Sequence, residues 1–159
     1  MAKEKKKPET ETKSDLFDQF GEMGSAKELN ICADGFREEG DIESLKALAV
    51  ENGFTEEDAL SYAKDREEHL DVEFCNPISA AIAKLDLEID HGANEQAAEL
   101  LKSELDDMEL TAGIRKKGKR LKKAFKEVEE YARSHKTGNC GAVSDGKALE
   151  IMKEYYKGA

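Results

Sequence analysis

The chain has 159 residues, of which 38% are hydrophobic and 38% charged, and its formal net charge is −11. This length suffices for one domain with a hydrophobic core, whereas no apolar run approaches the ~20 residues of a membrane-spanning helix. Three widely spaced cysteines without a CxxC pair argue against a disulfide framework or a zinc knuckle. Because the charged N-terminus lacks the apolar region of a secretory signal, we expect a cytoplasmic protein.

Charge is segregated along the chain. Residues 1–14 have almost no apolar content and are predicted to form a disordered, charged tail, followed by a single helical domain over residues 15–159. Within that domain, residues 16–111 carry seven basic and 26 acidic side chains, whereas residues 112–159 carry thirteen basic and six acidic ones. An acidic body followed by a basic C-terminal third bears on partners and solubility rather than on the fold.

Three short helices are predicted first, each with a weak apolar face. Their expected N-terminal capping residues are Ser25, Asp41 and Thr55. Glycine, which accepts the left-handed conformation at the end of a helix, is expected to close the first two at Gly40 and Gly53. Helices this short are marginal alone, so they must pack on other elements.

Asn76 and Pro77 form the strongest start signal, because Asn caps a helix well and Pro fits its first position. The helix that follows is the most apolar and is predicted to lie at the centre of the core. A fifth helix is predicted over residues 97–108, a sixth over 112–135, and a last one capped by Ser144. No segment alternates like a β-strand, so the predicted fold is all-α, a compact domain of about seven short amphipathic helices.

The sixth predicted helix carries a dense run of positive charge. Eight of the twelve residues from Arg115 to Lys126 are basic: Arg115, Lys116, Lys117, Lys119, Arg120, Lys122, Lys123 and Lys126. Helical periodicity places Gly118 and Leu121 on the apolar face, opposite these side chains. Since glycine costs a helix about 1 kcal/mol relative to alanine, Gly118 is expected to mark the close approach of another helix. The basic face either pairs with the protein's own carboxylates, for example at residues 104–109, or binds phosphate groups.

No catalytic or metal-binding motif stands out. Gly141, Gly146 and Lys147 fit the GxxxxGK spacing of a phosphate-binding loop, but Ala148 replaces the Ser or Thr that binds Mg²⁺. The three histidines have no second ligand at helical spacing, and no carboxylate pair has the apolar setting that raises a pKa for acid–base catalysis. We therefore expect no metal, no cofactor and no enzymatic activity.

Five stretches of the chain resemble the PcfK-like proteins of Gram-positive conjugative plasmids and phages. They are EMGSAKELNICADGFREEGD, SLKALAVENGF, CNPISAAIAKLDLE, GIRKKGKRLKKAF and IMKEYYKG. In this order they cover the chain from about residue 20 to its end. The chain departs from the family at residues 95–105, where bulkier aromatic side chains are expected, and this bears on how the fifth helix packs.

The resemblance implies a small non-enzymatic accessory protein of a mobile genetic element, in a family that includes anti-CRISPR inhibitors of the type II RNA-guided nuclease. That effector holds nucleic acid in a positively charged channel. The first hypothesis is therefore an inhibitor that binds the effector, its guide RNA or its DNA. The alternative, based on residues 115–126, is a nucleic-acid-binding accessory protein of conjugative transfer. A second copy of the chain is a further candidate partner, and no membrane is expected.

Overall fold

Helices make up the regular structure of this protein. The computed structural model describes residues 16–69, 71–135 and 143–158. Its helices are α1 (Ala26–Glu38), α2 (Ile42–Glu51), α3 (Glu56–Glu68), α4 (Pro77–Asp90), α5 (Glu95–Lys102), α6 (Met108–Arg115), α7 (Leu121–Ser134) and α8 (Asp145–Lys157). No strand occurs among the described residues, and the predicted all-α class and single domain are confirmed.

Hydrogen bonds at the N-caps confirm the predicted start of five helices. Each capping side chain accepts from the backbone amide three residues further on, in turn at Ser25, Asp41, Thr55, Asn76 and Ser144. The bond satisfies an amide that has no partner inside its own helix. Local chemistry therefore determines where these helices begin.

Two hydrophobic clusters meet at α4. The first is built mainly from α1, α2 and α3, and the second from α4 to α8. Helix α4 supplies Ala80 to the first cluster and Ala81 and Leu85 to the second, so it lies at the centre of the core as predicted. The same helix also buries two charged side chains, Lys84 and Glu88.

The predicted fifth helix is divided in two. Helix α5 ends at Lys102, and α6 begins at Met108 after a turn. The Asp107 side chain accepts from the Leu110 amide at 3.3 Å and caps α6. Leu105 in the turn is buried, whereas Met108 is half exposed. The apolar spacing over residues 97–108 therefore predicts that this segment is buried. It does not predict that the helix ends at residue 102 and a new one begins at residue 108.

The predicted sixth helix is also interrupted. Helix α6 ends at Arg115 and α7 begins only at Leu121, and we call residues 116–120 between them the basic turn. Within it Gly118 has a φ of +82°, in the left-handed region that glycine adopts most readily. A Cβ atom on Gly118 would meet no neighbour within 4 Å. The expectation of a second helix packed closely on this glycine is therefore wrong. The described residues form eight helices where about seven were expected.

The predicted tail at residues 1–14 lies outside the described residues, and so does Cys140. Both Cys32 and Cys75 are free thiols. Among the described helices, none combines the length and the apolar content that a bilayer crossing requires.

Candidate anion-binding interface

The eight basic side chains of residues 115–126 do not share one face, because the basic turn redirects the chain between α6 and α7. Arg115 and Arg120 contact groups of the protein itself, and Lys119 contacts the end of α8. Five side chains are exposed: Lys116, Lys117, Lys122, Lys123 and Lys126. The surface available to an external anion is therefore smaller than the sequence suggests.

Arg115, the last residue of α6, is 2% exposed. Its guanidinium donates to the carbonyl of Met23 at 3.1 Å, to the carbonyl of Ala80 at 3.2 Å and to Oδ1 of Asn52. Burial lowers its pKa, but an arginine stays charged inside a protein. Its three acceptors come from the segment before α1, from α2's end and from α4. Arg115 therefore ties the two clusters together and is closed to external ligands.

Glu22, in the segment before α1, holds the basic turn in place. Its Oε1 accepts from the Gly118 amide at 3.0 Å and from Arg120 Nη2 at 3.0 Å. Its Oε2 accepts from Arg120 Nη1 at 2.9 Å and from Lys84 Nζ at 2.7 Å. Burial raises the pKa of this carboxyl, but the hydrogen bonds from Arg120 and Lys84 outweigh burial and lower the pKa from 4.5 to about 2. Glu22 is therefore charged at neutral pH.

Two charged groups of α4 complete this network below the basic turn. Lys84 is fully buried and donates a second hydrogen bond, of 3.1 Å, to the carbonyl of Lys116. Burial lowers the pKa of Lys84 from 10.5 to about 8, although the hydrogen bond to Glu22 opposes this shift. Glu88 accepts from the Leu121 amide at 2.7 Å, which gives α7 the cap that its own sequence lacks. Burial raises the pKa of Glu88.

Lys119 is held by the C-terminal end of α8. Its ammonium donates to the carbonyl of Tyr155 at 2.8 Å and lies 4.4 Å from the centre of that tyrosine ring. The amide of Arg120 donates to the Tyr155 hydroxyl at 3.1 Å. Cations are favoured at this end of a helix by its dipole, and the ring adds a cation–π contact. Lys119 is therefore partly used in fixing the basic turn.

The exposed lysines do not pair with the carboxylates of residues 104–109 that the sequence offered as partners. Those acids are bound instead by two lysines of α8, where Lys153 lies 3.3 Å from Glu104 and Lys157 lies 2.6 Å from Asp107. Within residues 115–126, four lysine ammonium groups have neither a hydrogen bond nor an ion pair to the described part of the chain. They belong to Lys116, Lys117, Lys122 and Lys126. These groups remain available to an anion from outside.

The opposite charge dominates the α1–α3 half. Helix α3 carries six acidic and two basic side chains. Of its two cations, Arg66 is already bound, 3.1 Å from Asp34 and 2.9 Å from the carbonyl of Val72. Because the acids at both ends of α3 are exposed, this half presents a negative surface. The α1–α3 half is therefore negative at its surface, although Glu22 and the acids at residues 104 and 107 pair with cations of the C-terminal third.

The buried network contains four side chains that sequence reasoning missed: Glu22, Asn52, Lys84 and Glu88. For Lys84 and Glu88 a signal existed, since two charged residues four apart interrupt the apolar face of α4. Nothing local marks Glu22 or Asn52, which meet their partners only across 62 to 98 residues of chain.

The described part of the chain contains no group of three or more His, Cys, Asp or Glu side chains that could hold a metal ion. No family model, no curated protein and no solved structure matches this chain. Inferences about function therefore rest on the charge distribution, on the geometry of the basic turn and on the resemblance of the five stretches.

Proposed function

We propose that this protein acts by binding a macromolecular partner rather than by catalysis, in the cytoplasm of a bacterium that carries a mobile genetic element. The favoured partner is a type II CRISPR effector nuclease, which the protein would inhibit. The PcfK-like resemblance supports this choice. The structural observation that carries it is the exposed acidic half, in which α3 alone carries six acidic and two basic side chains.

Charge complementarity explains how such a protein could engage the effector. A channel that holds nucleic acid is lined by Lys and Arg, and α3 offers it carboxylates that Glu56, Glu57, Glu67 and Glu68 expose to solvent. Opposite potentials steer association and favour the correct partner. Because the carboxylates lie on a helix packed into a core, they are presented without ordering a flexible segment.

A target-cleavage assay with purified effector, guide and DNA tests this proposal. Adding the protein should abolish cleavage, and the variant Glu57→Gln/Glu67→Gln/Glu68→Gln should inhibit less. These residues avoid the capping pair of α3, so the helix should remain intact. The matched control neutralises exposed acids of α7, Glu129→Gln/Glu130→Gln, and should inhibit like the unmodified protein. Cleavage that continues unchanged at large molar excess of the protein would refute the proposal.

A second candidate function is nucleic-acid binding as an accessory factor of conjugative transfer. It is favoured by the exposed lysines at and after the basic turn, four of which have no partner among the described residues. Such a surface would contact phosphates and read little sequence, because Phe125, the aromatic residue between these lysines, packs against the core and is not presented for stacking on bases.

The salt dependence of binding tests the second candidate. With about five phosphate contacts, log affinity for duplex DNA should fall with log salt at a slope of roughly −4.5. The variant Lys116→Gln/Lys117→Gln/Lys126→Gln should bind more weakly and reduce this slope by roughly 2.7. A matched control, Lys64→Gln on α3, should leave both quantities unchanged. Absence of a complex at low salt would exclude this function.

A further inference from the structure

Glu22 occupies a set of donors that also suits a phosphate group. One guanidinium, that of Arg120, binds both carboxylate oxygens, at 2.9 and 3.0 Å. The Gly118 amide adds a main-chain donor at 3.0 Å, and Lys84 adds an ammonium at 2.7 Å. A guanidinium fork, a backbone N–H in a glycine turn and an ammonium are recurrent elements of phosphate recognition.

The surroundings of Glu22 remain positive with this carboxylate in place. Lys84 and Arg120 both contact Glu22. The other buried carboxyl of the network, Glu88, does not restore balance even when charged, because the buried cation Arg115 also belongs to this network. Lys117 is an exposed residue of the basic turn and adds a further positive charge there. An anion with more charge than a carboxylate would therefore be favoured at this position.

Glu22 can leave this position without breaking a helix. It lies in the segment before α1, which is not helical, and its side chain is 12% exposed. That segment has a separate attachment to α2, where Glu51 accepts from the amides of Gln19 and Phe20 at 2.7 and 2.9 Å. Rotation of the Glu22 side chain is therefore enough to open this position, while Phe20 and Met23 of the same segment stay packed against the first cluster.

We propose that Lys84, Arg120 and the Gly118 amide form a phosphate-binding cradle that Glu22 occupies in cis, and that a phosphate group of a ligand takes the place of this carboxylate. Phosphate binding and the binding of Glu22 to the cradle are then coupled. Each lowers the equilibrium constant of the other by the same factor. The proposal deepens the second candidate function, since a nucleic-acid backbone is one source of phosphate and free phosphate is the other.

Phosphate affinity with and without the internal carboxylate tests the cradle. Inorganic phosphate is titrated at neutral pH and low salt by calorimetry into the unmodified chain, Glu22→Gln, and Glu28→Gln as a matched control. Glu28 lies in the first turn of α1. Its side chain accepts from the Gly24 amide and contacts none of the three cradle donors. Glu22→Gln removes the negative charge that competes for these donors, so it should bind phosphate about 5- to 150-fold more tightly, the usual range of coupling between two ligands, and adding Arg120→Gln should cancel the gain. Equal affinities for Glu22→Gln and Glu28→Gln would overturn the proposal.

A second measurement needs no variant and holds even if Glu22→Gln fails to fold. The Gly118 amide signal of the unmodified chain is followed by ¹⁵N–¹H NMR during titration with inorganic phosphate and, separately, with a thymidine dodecamer. Either titrant should move this signal, and which one acts at lower concentration identifies the source of phosphate. The Gly40 amide, distant from the turn in sequence and also at positive φ, should stay still. A Gly118 signal that neither titrant moves would overturn the cradle. This outcome can be told apart from a failure of the second candidate function. The Gln variants of the exposed lysines test nucleic-acid binding and leave the cradle donors unchanged.

Discussion

Replacing Arg115 with methionine tests whether this residue belongs to the core or to a binding surface. Methionine has a similar length but donates no hydrogen bond, so Asn52 Oδ1 and the carbonyls of Met23 and Ala80 would lose a donor. A buried acceptor without a partner costs about 1–3 kcal/mol. Removing a buried charge recovers part of that cost. We therefore expect Arg115→Met to lower the free energy of unfolding by about 2–4 kcal/mol.

Urea unfolding followed by circular dichroism measures this loss, with the m-value checking that the transition stays two-state. The melting temperature should fall by about 4–16 °C in a protein of this size. The matched control is Lys117→Met in the basic turn, an exposed site where we expect a change within about 0.5 kcal/mol. The reasoning is refuted if Arg115→Met unfolds like the unmodified protein and instead weakens binding to nucleic acid.

Further predictions concern glycine packing and pH. Gly113→Ala should destabilise by about 1–3 kcal/mol in urea unfolding, because its Cβ would lie 2.3 Å from the carbonyl oxygen of Tyr156. The helical control Gly35→Ala, with nothing within 4 Å, should instead stabilise by about 0.5–1 kcal/mol. Since the pKa of Glu22 is lower in the folded state, its stabilisation should be lost as pH falls from 4.5 towards 2, and acid unfolding of Glu22→Gln should show a shallower slope there. Since the pKa of Lys84 is also lower in the folded state, the unfolded chain binds more protons between pH 8 and 10.5. Stability should therefore rise across that range, and a Lys84→Met variant that kept the same rise would contradict this assignment.

The fold was predictable to the extent that it depends on neighbouring residues. Caps such as Asn76 and Ser144 act over three residues, and an apolar face repeats every three or four, so both can be recognised in the sequence. The breaks at residues 103–107 and 116–120 escaped prediction, because each lies inside a stretch whose apolar periodicity continues. For the second break, Gly118 is a visible signal in the sequence, but its place in the apolar periodicity fits close helix packing equally well.

The candidate site was predictable only in composition. The sequence indicated a basic segment and left open whether its cations meet phosphate or the protein's own groups. The structure answers this for Arg115, which binds Asn52, and for Arg120, which binds Glu22, whereas phosphate binding by exposed residues such as Lys117 stays a prediction. The functional hypotheses and the PcfK-like resemblance stay predictions.

The sequence by itself determined that this chain is helical, where most of its helices start, and that its charge is divided between an acidic body and a basic end. Only the tertiary structure decided which cations become structural. A charged side chain is buried when distant residues supply its partners, and the distance in sequence from Glu22 to Arg120 is 98 residues. Periodicity along one helix carries no information about such partners. For this reason the run from Arg115 to Lys126 is a single feature in the sequence and three different environments in the fold.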